Sequence, residues 1–160
     1  KQGIAFLLTT RGIPQIYYGT ELLMHGNKKK TDGDVRKDVP GGFPEDKTNA
    51  FTREGRNKLQ NEAIDFMSKI ANWRKGNKVI AEGSLKHFMP ENGMYVYERK
   101  LGDKQVVVIM NGTDRQLSVD MSIYREILPI GATLKDVITG ETFTVTNEIH
   151  FAPRALFVLE

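Results

Sequence analysis

The spacing of apolar residues divides the chain into two parts. Up to about residue 77 the clearest pattern has the period of a helix, because five apolar residues fall at intervals of four, three, four and three. These residues are Leu59, Ala63, Phe66, Ile70 and Trp73. The stripe predicts a helix that buries one face and places Trp73 in the core, and Gly76 followed by Asn77 predicts its end.

From Lys78 onward the apolar period becomes two, which is the period of a half-buried strand. Short runs rich in Val, Ile, Thr, Tyr and Phe are separated by turn signals such as Glu91-Asn92-Gly93. The runs cover residues 84–89, 94–100, 105–111, 116–121, 133–138, 142–146 and 155–159, and residues 151–159 are expected to hold the last strands. Short strands at this spacing predict an antiparallel sandwich.

The first residues predict a helix that leads into a buried strand. Residues 4–10 are mostly apolar, and Gly12 can take the left-handed conformation that ends a helix. Pro14 then fixes the entry to a short apolar run, residues 15–18. A strand that follows a helix and is apolar on both faces is typical of a parallel sheet, where chemistry gathers at the carboxyl ends of the strands. The long polar segment 24–52 is therefore expected to be a functional loop.

The ten residues Gly12-Ile13-Pro14-Gln15-Ile16-Tyr17-Tyr18-Gly19-Thr20-Glu21 resemble a signature of the α-amylase family, glycoside hydrolase family 13, at the last strand of its (β/α)8 barrel. The period-two part resembles the small antiparallel domain, often called domain C, that follows this barrel. The resemblance implies an α+β fragment. Residues 1–77 would be the last strand and helices of the barrel, and residues 78–160 an antiparallel β-sandwich. Since most of a barrel is missing, we expect the chain to be the C-terminal portion of a longer enzyme.

The resemblance also implies a function, which is retaining hydrolysis of α-glucans such as starch by an enzyme of the neopullulanase or cyclomaltodextrinase kind. Retaining glycosidases use two carboxyl groups roughly 5 to 5.5 Å apart. The family supplies these, and a third aspartate, from strands four, five and seven of the barrel. Those strands would precede Lys1, so we assign the chain no catalytic residue, no metal ligand and no cofactor. We expect this chain alone to be inactive.

The resemblance implies a substrate-binding pair in the loop. In neopullulanase-like and cyclomaltodextrinase-like members, the loop after strand eight holds an Asp and, four residues later, an Arg that hydrogen-bond sugar hydroxyls. Asp32 and Arg36 stand at that spacing. A carboxylate accepts hydrogen bonds from hydroxyls and a guanidinium donates them, so the residue types suit the task. Two alternatives remain: Asp32, Asp34 and Asp38 are ordinary loop acids, or they bind calcium, although the ligand order of an EF-hand is missing.

A second function from a different class also fits the pattern, namely an autonomous β-sandwich that acts as a carbohydrate-binding or interaction module. The net charge is +3, but the basic residues are scattered, and the run Lys28-Lys29-Lys30 is followed by acids, so we expect no nucleic-acid partner. The apolar runs are too short to span a bilayer. An α-glucan is the partner expected through the parent enzyme. Self-association through the exposed barrel face is expected as well.

Overall fold

The computed structural model of this chain describes all residues from Lys1 to Glu160. The helices are α1 (Gln2–Thr9), α2 (Lys58–Gly76) and α3 (Lys78–Glu82). The strands are β1 (Ser84–His87), β2 (Met94–Leu101), β3 (Lys104–Asn111), β4 (Leu117–Asp120), β5 (Thr133–Lys135), β6 (Thr142–Thr144), β7 (Glu148–Phe151) and β8 (Leu156–Leu159). The chain divides into two compact units, one made of residues 1–14 and 69–160 and the other of residues 15–68.

The eight strands of the first unit form three antiparallel sheets. One sheet has four strands in the order β1-β2-β3-β8, and β4 with β7 and β5 with β6 form two-stranded ribbons. The longest pairing joins β2 and β3, from Met94 opposite Asn111 to Leu101 opposite Lys104. Gly102 makes the turn between them with a φ of 58°, a conformation that glycine adopts easily. The antiparallel fold expected for residues 78–160 is thus confirmed.

The main core lies between the four-stranded sheet and the two ribbons. Val96 of β2 and Ile109 of β3 pack in one cluster with Val119 of β4, Phe143 of β6 and Phe151 of β7. All five side chains are buried. Their alternation along each strand gives two layers of sheet that face one another across an apolar interior, which is the arrangement of a β-sandwich.

Helices cover the opposite face of the four-stranded sheet. The hydroxyl groups of Thr9 in α1 and Tyr97 in β2 are hydrogen-bonded at 2.6 Å, and both residues are fully buried. The ring of Phe6 meets that of Tyr97 edge to face, with 6.1 Å between the centroids. Helix α3 packs on β2 and β3. Because both faces of the sheet are covered, the middle of β3 is buried continuously rather than at alternate positions.

Arg99 is buried beneath α1 with only 1% of its surface exposed. Its guanidinium donates to four backbone carbonyl oxygens: those of Thr9 at 3.1 Å, Thr10 at 2.9 Å, Gly83 at 2.7 Å and Ser84 at 3.2 Å. No carboxylate pairs with it, so carbonyl dipoles alone compensate the buried charge. Burial, together with the nearby cations Arg74 and Arg11, lowers the pKa of Arg99.

The unit of residues 15–68 has little regular structure beyond its part of α2. The strand predicted for residues 15–18 is wrong, because these residues pair with no other segment. The prediction that they are buried also fails, since Tyr17 is 56% and Tyr18 45% exposed. A parallel strand needs neighbouring strands to take its hydrogen bonds, and the chain offers none at this position. The assignment of residues 1–77 to a barrel therefore stays a prediction, as does the boundary near residue 77.

The helix expected from the apolar stripe is confirmed as α2, but the stripe is not buried along its whole length. Phe66 and Ile70 are buried, whereas Leu59 at the start of the helix is 65% exposed. Trp73, which we expected in the core, is only half-buried. Its indole N–H donates to a side-chain oxygen of Glu160 at 2.8 Å. The sequence pattern gave the correct face of the helix but not the depth of each residue.

We predict that Arg99→Met lowers the free energy of unfolding by at least about 3 kcal/mol, because it leaves buried carbonyl oxygens without donors. Arg125→Met is the matched control, since Arg125 is exposed and its side chain makes no hydrogen bond, and it should change the free energy by less than about 0.5 kcal/mol. Chemical denaturation measures both values. Equal effects of the two substitutions would contradict the role given to Arg99.

Candidate functional site

The two residues expected to contact substrate lie on either side of a single 3₁₀ turn. Asp32 precedes the turn Gly33–Val35 and Arg36 follows it. Both residues are exposed. No ion pair joins them, and neither side chain makes a hydrogen bond within the protein. The fold therefore places the pair at the two ends of one turn and leaves their polar groups open to solvent.

Asp34, inside this turn, organises the loop. Its carboxylate accepts a hydrogen bond from the backbone N–H of Asn27 at 2.5 Å and forms an ion pair with Lys37 Nζ at 3.4 Å. Lys37 Nζ also donates to the carbonyl oxygen of His25 at 3.3 Å. The hydrogen bond from Asn27, followed by the contact with Lys37, lowers the pKa of Asp34. Asp34 therefore ties residues 25–27 to residues 34–37 as a carboxylate.

Gly26 allows the two ends of this loop to approach one another. A Cβ atom placed on Gly26 would lie 2.1 Å from the carbonyl oxygen of Asp34 and 2.8 Å from the Cα of Val35. Both are backbone atoms that cannot move aside as a flexible side chain could. The close contact therefore requires glycine at this position. It also holds the 3₁₀ turn, which contains Asp34 and Val35, next to Gly26.

A cavity of about 440 Å³ lies beside the turn. Its lining includes Arg36, Tyr17 and Tyr18 but not Asp32. The two tyrosine rings lie 4.8 Å apart, and the Tyr18 hydroxyl donates to the carbonyl oxygen of Lys37 at 3.2 Å. Partial burial, and then the neighbouring Tyr17, raise the pKa of Tyr18, while the Arg36 cation acts in the opposite direction. The two tyrosines form part of an open wall next to Arg36.

Sequence reasoning did not find Asp34, Lys37 and Gly26 as the residues that shape the loop. The carboxylate of Asp34 accepts from the backbone N–H of Asn27, seven residues earlier in the chain. Hydrogen bonds at this separation belong to no regular element, so they leave no periodic signal in the sequence. Asp34 could only have been recognised as one of three acids in the segment, alongside Asp32 and Asp38. Its contacts, and not its position in the sequence, single it out.

The electrostatic environment of Asp34 differs from that of a general acid. Asp34 is held ionised by its partners, whereas a general acid needs a raised pKa. No group of three or more His, Asp or Glu side chains is arranged to hold a metal ion. The helices lack the combination of length and apolar composition that a membrane span requires. What the arrangement can do chemically is hydrogen-bond a polar ligand through a carboxylate and a guanidinium beside two exposed aromatic rings.

Sequence comparison finds similarity to starch-processing proteins. Residues 85–160 match the family described as the cyclo-malto-dextrinase C-terminal domain. The chain is 38% identical over 152 residues to a cyclomaltodextrin glucanotransferase of Niallia circulans. This alignment covers 92% of the present chain and 18% of the relative. The chain is 33% identical over 150 residues to an α-amylase of the same organism, covering 91% of this chain and 24% of that protein. The chain thus spans about a fifth of the length of these relatives.

Solved structures share the fold. The α-amylase of Geobacillus thermoleovorans, solved in complex with acarbose, superposes with a TM-score of 0.72 at 22% identity, over 98% of this chain and 31% of that one. A γ-cyclodextrin glucanotransferase from alkalophilic Bacillus clarkii gives a TM-score of 0.68 at 27% identity, over 98% of this chain and 22% of that one.

We expect Asp34→Ala to loosen the loop, because the backbone N–H of Asn27 loses its acceptor. Hydrogen exchange of the Asn27 amide should become faster, while Asp38→Ala, which removes an acid of the same loop without hydrogen bonds, should leave it unchanged. The folded-state pKa of Asp34 lies below its ordinary value of 3.8, so the stabilisation is present above pH 3.8 and is lost as pH falls through the lowered pKa. Protection that does not depend on Asp34 would contradict this account.

Proposed function

Because this chain belongs to the C-terminal region of the α-amylase family of glycoside hydrolases, we propose that it supplies a substrate-contacting loop and the β-sandwich domain to a longer enzyme that cleaves α-glucans. The catalytic carboxylates of that enzyme lie outside these residues. The observation that carries the proposal is the pair Asp32 and Arg36, exposed on one turn without internal partners. The names of the relatives support an α-glucan as the substrate class.

The roles proposed for the pair follow from their hydrogen-bonding capacity. Asp32 accepts hydrogen bonds from vicinal sugar hydroxyls, and Arg36 donates from its planar fork to hydroxyl or ring oxygens. Neither group has to break an internal bond before it binds, because each is solvated in the free chain. The tyrosine wall beside Arg36 adds apolar contact area for a sugar ring. Asp34 and Lys37 act through position, since they hold the turn that carries the pair.

The bond-breaking chemistry requires groups that this loop does not offer. A retaining mechanism needs one carboxylate that attacks the anomeric carbon and one protonated carboxyl group that gives its proton to the leaving oxygen. Asp34 is committed to Asn27 and Lys37, and a carboxyl group with a lowered pKa is a poor proton donor. The covalent sugar intermediate and its transfer to water or to another sugar would therefore take place on other residues of the parent.

We also propose that residues 1–77 complete a barrel in the parent. Several large apolar side chains of this part are exposed here: Ile13, Tyr17, Leu23, Phe43, Phe51 and Leu59. Exposed apolar surface of this extent supports a missing partner surface, and in the isolated chain it would favour self-association. Light scattering across a concentration series would detect such association.

In the parent enzyme we expect Asp32→Ala and Arg36→Ala each to lower kcat/KM for α-glucan turnover by about ten- to a hundredfold, the effect of losing a hydrogen bond that involves a charged group. The loss should appear mainly in KM, because neither residue takes part in the chemical step. Steady-state kinetics on maltoheptaose measure the change.

Two controls are available in the same segment for these substitutions. Glu45→Ala and Lys30→Ala remove exposed charges of the same sign whose side chains have no internal hydrogen bonds, and they should leave the kinetics unchanged. If Asp32→Ala and Arg36→Ala behaved like these controls, the pair would have no place in substrate binding.

The purified 160-residue chain should release no reducing ends from maltoheptaose, cyclodextrin or pullulan above a mock-purified control. The reason is that the groups for nucleophilic attack and proton donation are absent from it. Activity that survives repurification and falls on Asp34→Ala or Asp38→Ala would show that the active site lies in this loop after all.

A further inference from the structure

The sequence contains two Asn-Gly pairs, Asn92-Gly93 and Asn111-Gly112. Asparagine before glycine loses ammonia readily, because glycine has no side chain to hinder attack of its backbone nitrogen on the preceding side-chain amide. The two pairs have the same chemistry, so a difference in their reactivity has to come from the fold. The structure places them in opposite environments.

Asn111 is fully buried, and both polar groups of its side chain are engaged. Its Nδ2 donates to the carbonyl oxygens of Arg115 and Ala152, each at 2.8 Å. Its Oδ1 accepts from the backbone N–H of Thr113 at 2.9 Å and from the hydroxyl of the same residue at 2.7 Å. The backbone N–H of Gly112, which would be the nucleophile, donates to another backbone carbonyl at 2.8 Å. Neither reacting group of this pair is therefore free.

Asn92 has none of these restraints. Asn92 and Gly93 are both exposed, and the side chain of Asn92 makes no hydrogen bond within the protein. The backbone N–H of Glu91 donates to the carbonyl oxygen of Met94 at 3.1 Å, and the reverse bond measures 2.8 Å. These two hydrogen bonds close the turn on either side. The peptide between Asn92 and Gly93 lies outside them, and its N–H has no partner in the protein.

The shape of the turn favours the residues that make it reactive. Asn92 has a φ of 51° and Gly93 a φ of 87°, both in the left-handed region that asparagine and glycine tolerate best. A Cβ atom on Gly93 would also lie 2.2 Å from the Cγ2 of Thr113. The fold therefore selects an Asn-Gly pair at this turn and at the same time leaves it unprotected.

We propose that Asn92 is a site of spontaneous deamidation in the folded chain and that Asn111 is not. The backbone nitrogen of Gly93 gives its proton to hydroxide and attacks the side-chain carbonyl carbon of Asn92, and the side-chain nitrogen leaves as ammonia. Water then opens the resulting succinimide ring at either carbonyl. One opening gives aspartate, and the other gives isoaspartate, in which the main chain runs through the side-chain carbon. The net reaction consumes water and releases ammonia.

The two products have different effects on the turn. Aspartate adds a negative charge beside Glu91 but leaves the backbone unchanged. Isoaspartate inserts a methylene group into the main chain between the hydrogen bonds that close the turn. Because the carbonyl oxygen of Gly93 accepts the N–H of Gly112 at 2.8 Å, this change reaches the segment that Asn111 organises. Isoaspartate therefore weakens the hydrogen bond between Gly93 and Gly112, and aspartate does not.

Incubation of the 160-residue chain in mildly alkaline buffer, followed by trypsin and mass spectrometry, measures both sites in one sample. The two asparagines fall in separate tryptic peptides, residues 87–99 and 105–115. Conversion at Asn92 should be at least about a hundredfold faster than at Asn111, which reacts only after local opening. Isoaspartyl methyltransferase with labelled S-adenosylmethionine should label only the first peptide. In urea, where the fold is lost, the two sites should react at similar rates.

Two variants at the same position serve as controls. Asn92→Gly suits the positive φ but has no amide to lose, so it should abolish the labelling. Asn92→Asp carries the charge of the product without the longer backbone. Hydrogen exchange of the Gly112 amide should be faster in the isolated isoaspartate form than in fresh Asn92→Asp, and equal exchange would overturn the coupling to Gly112. Equal conversion of Asn92 and Asn111 in the folded chain, or an intact Asn92 when the urea-treated chain has already reacted, would overturn the site itself.

Discussion

Two arginines from other elements bind the C-terminal end of α1 and link this helix to the rest of the first unit. The last carbonyl groups of a helix have no partners within it, and α1 has no basic residue of its own in its last turn. Arg74 of α2 donates to the carbonyl oxygens of Leu8 and Gly12, and Arg99 of β2 donates to those of Thr9 and Thr10. The C-terminal end of a helix carries a partial negative charge, so cations near it are also attracted by the helix dipole. Removing α1 from the sheet would deprive Arg99 of two of its four carbonyl partners, so helix and sheet are energetically coupled.

The end of α2 is held by two neighbouring residues, Trp73 and Arg74. Arg74 ties the end of the helix to the segment after α1, while Trp73 ties it to Glu160 at the end of β8. Two adjacent side chains thus fix the last turns of α2 in two directions. The indole keeps this hydrogen bond although Trp73 is only half-buried.

The sequence predicted the elements whose signals are local and failed where long-range partners decide. The turn Glu91-Asn92-Gly93 and the alternation around it located β1 and β2, whereas β7 (Glu148–Phe151) was not among the predicted runs. The apolar run at residues 15–18 has the composition of a strand but no neighbour to pair with. For Trp73 the helical period gave the correct face, but the burial of a residue depends on the long-range neighbours that cover that face, which the period does not show. The pair Asp32 and Arg36 came from family resemblance, and Asp34, which shapes their turn, had no signal at all.

The polar residues of the loop fall into two groups, those with partners inside the protein and those without. In the loop, Asp34 and Lys37 are engaged by each other and by the backbone, while Asp32 and Arg36 remain unpaired. A group already satisfied within the protein must give up that bond before it can bind a ligand, which cancels most of the gain. A group that holds only water exchanges one hydrogen bond for another, and a neighbouring satisfied group keeps it in place. The unpaired members are therefore the ones able to contact a sugar, and their engaged neighbours determine where the sugar would lie.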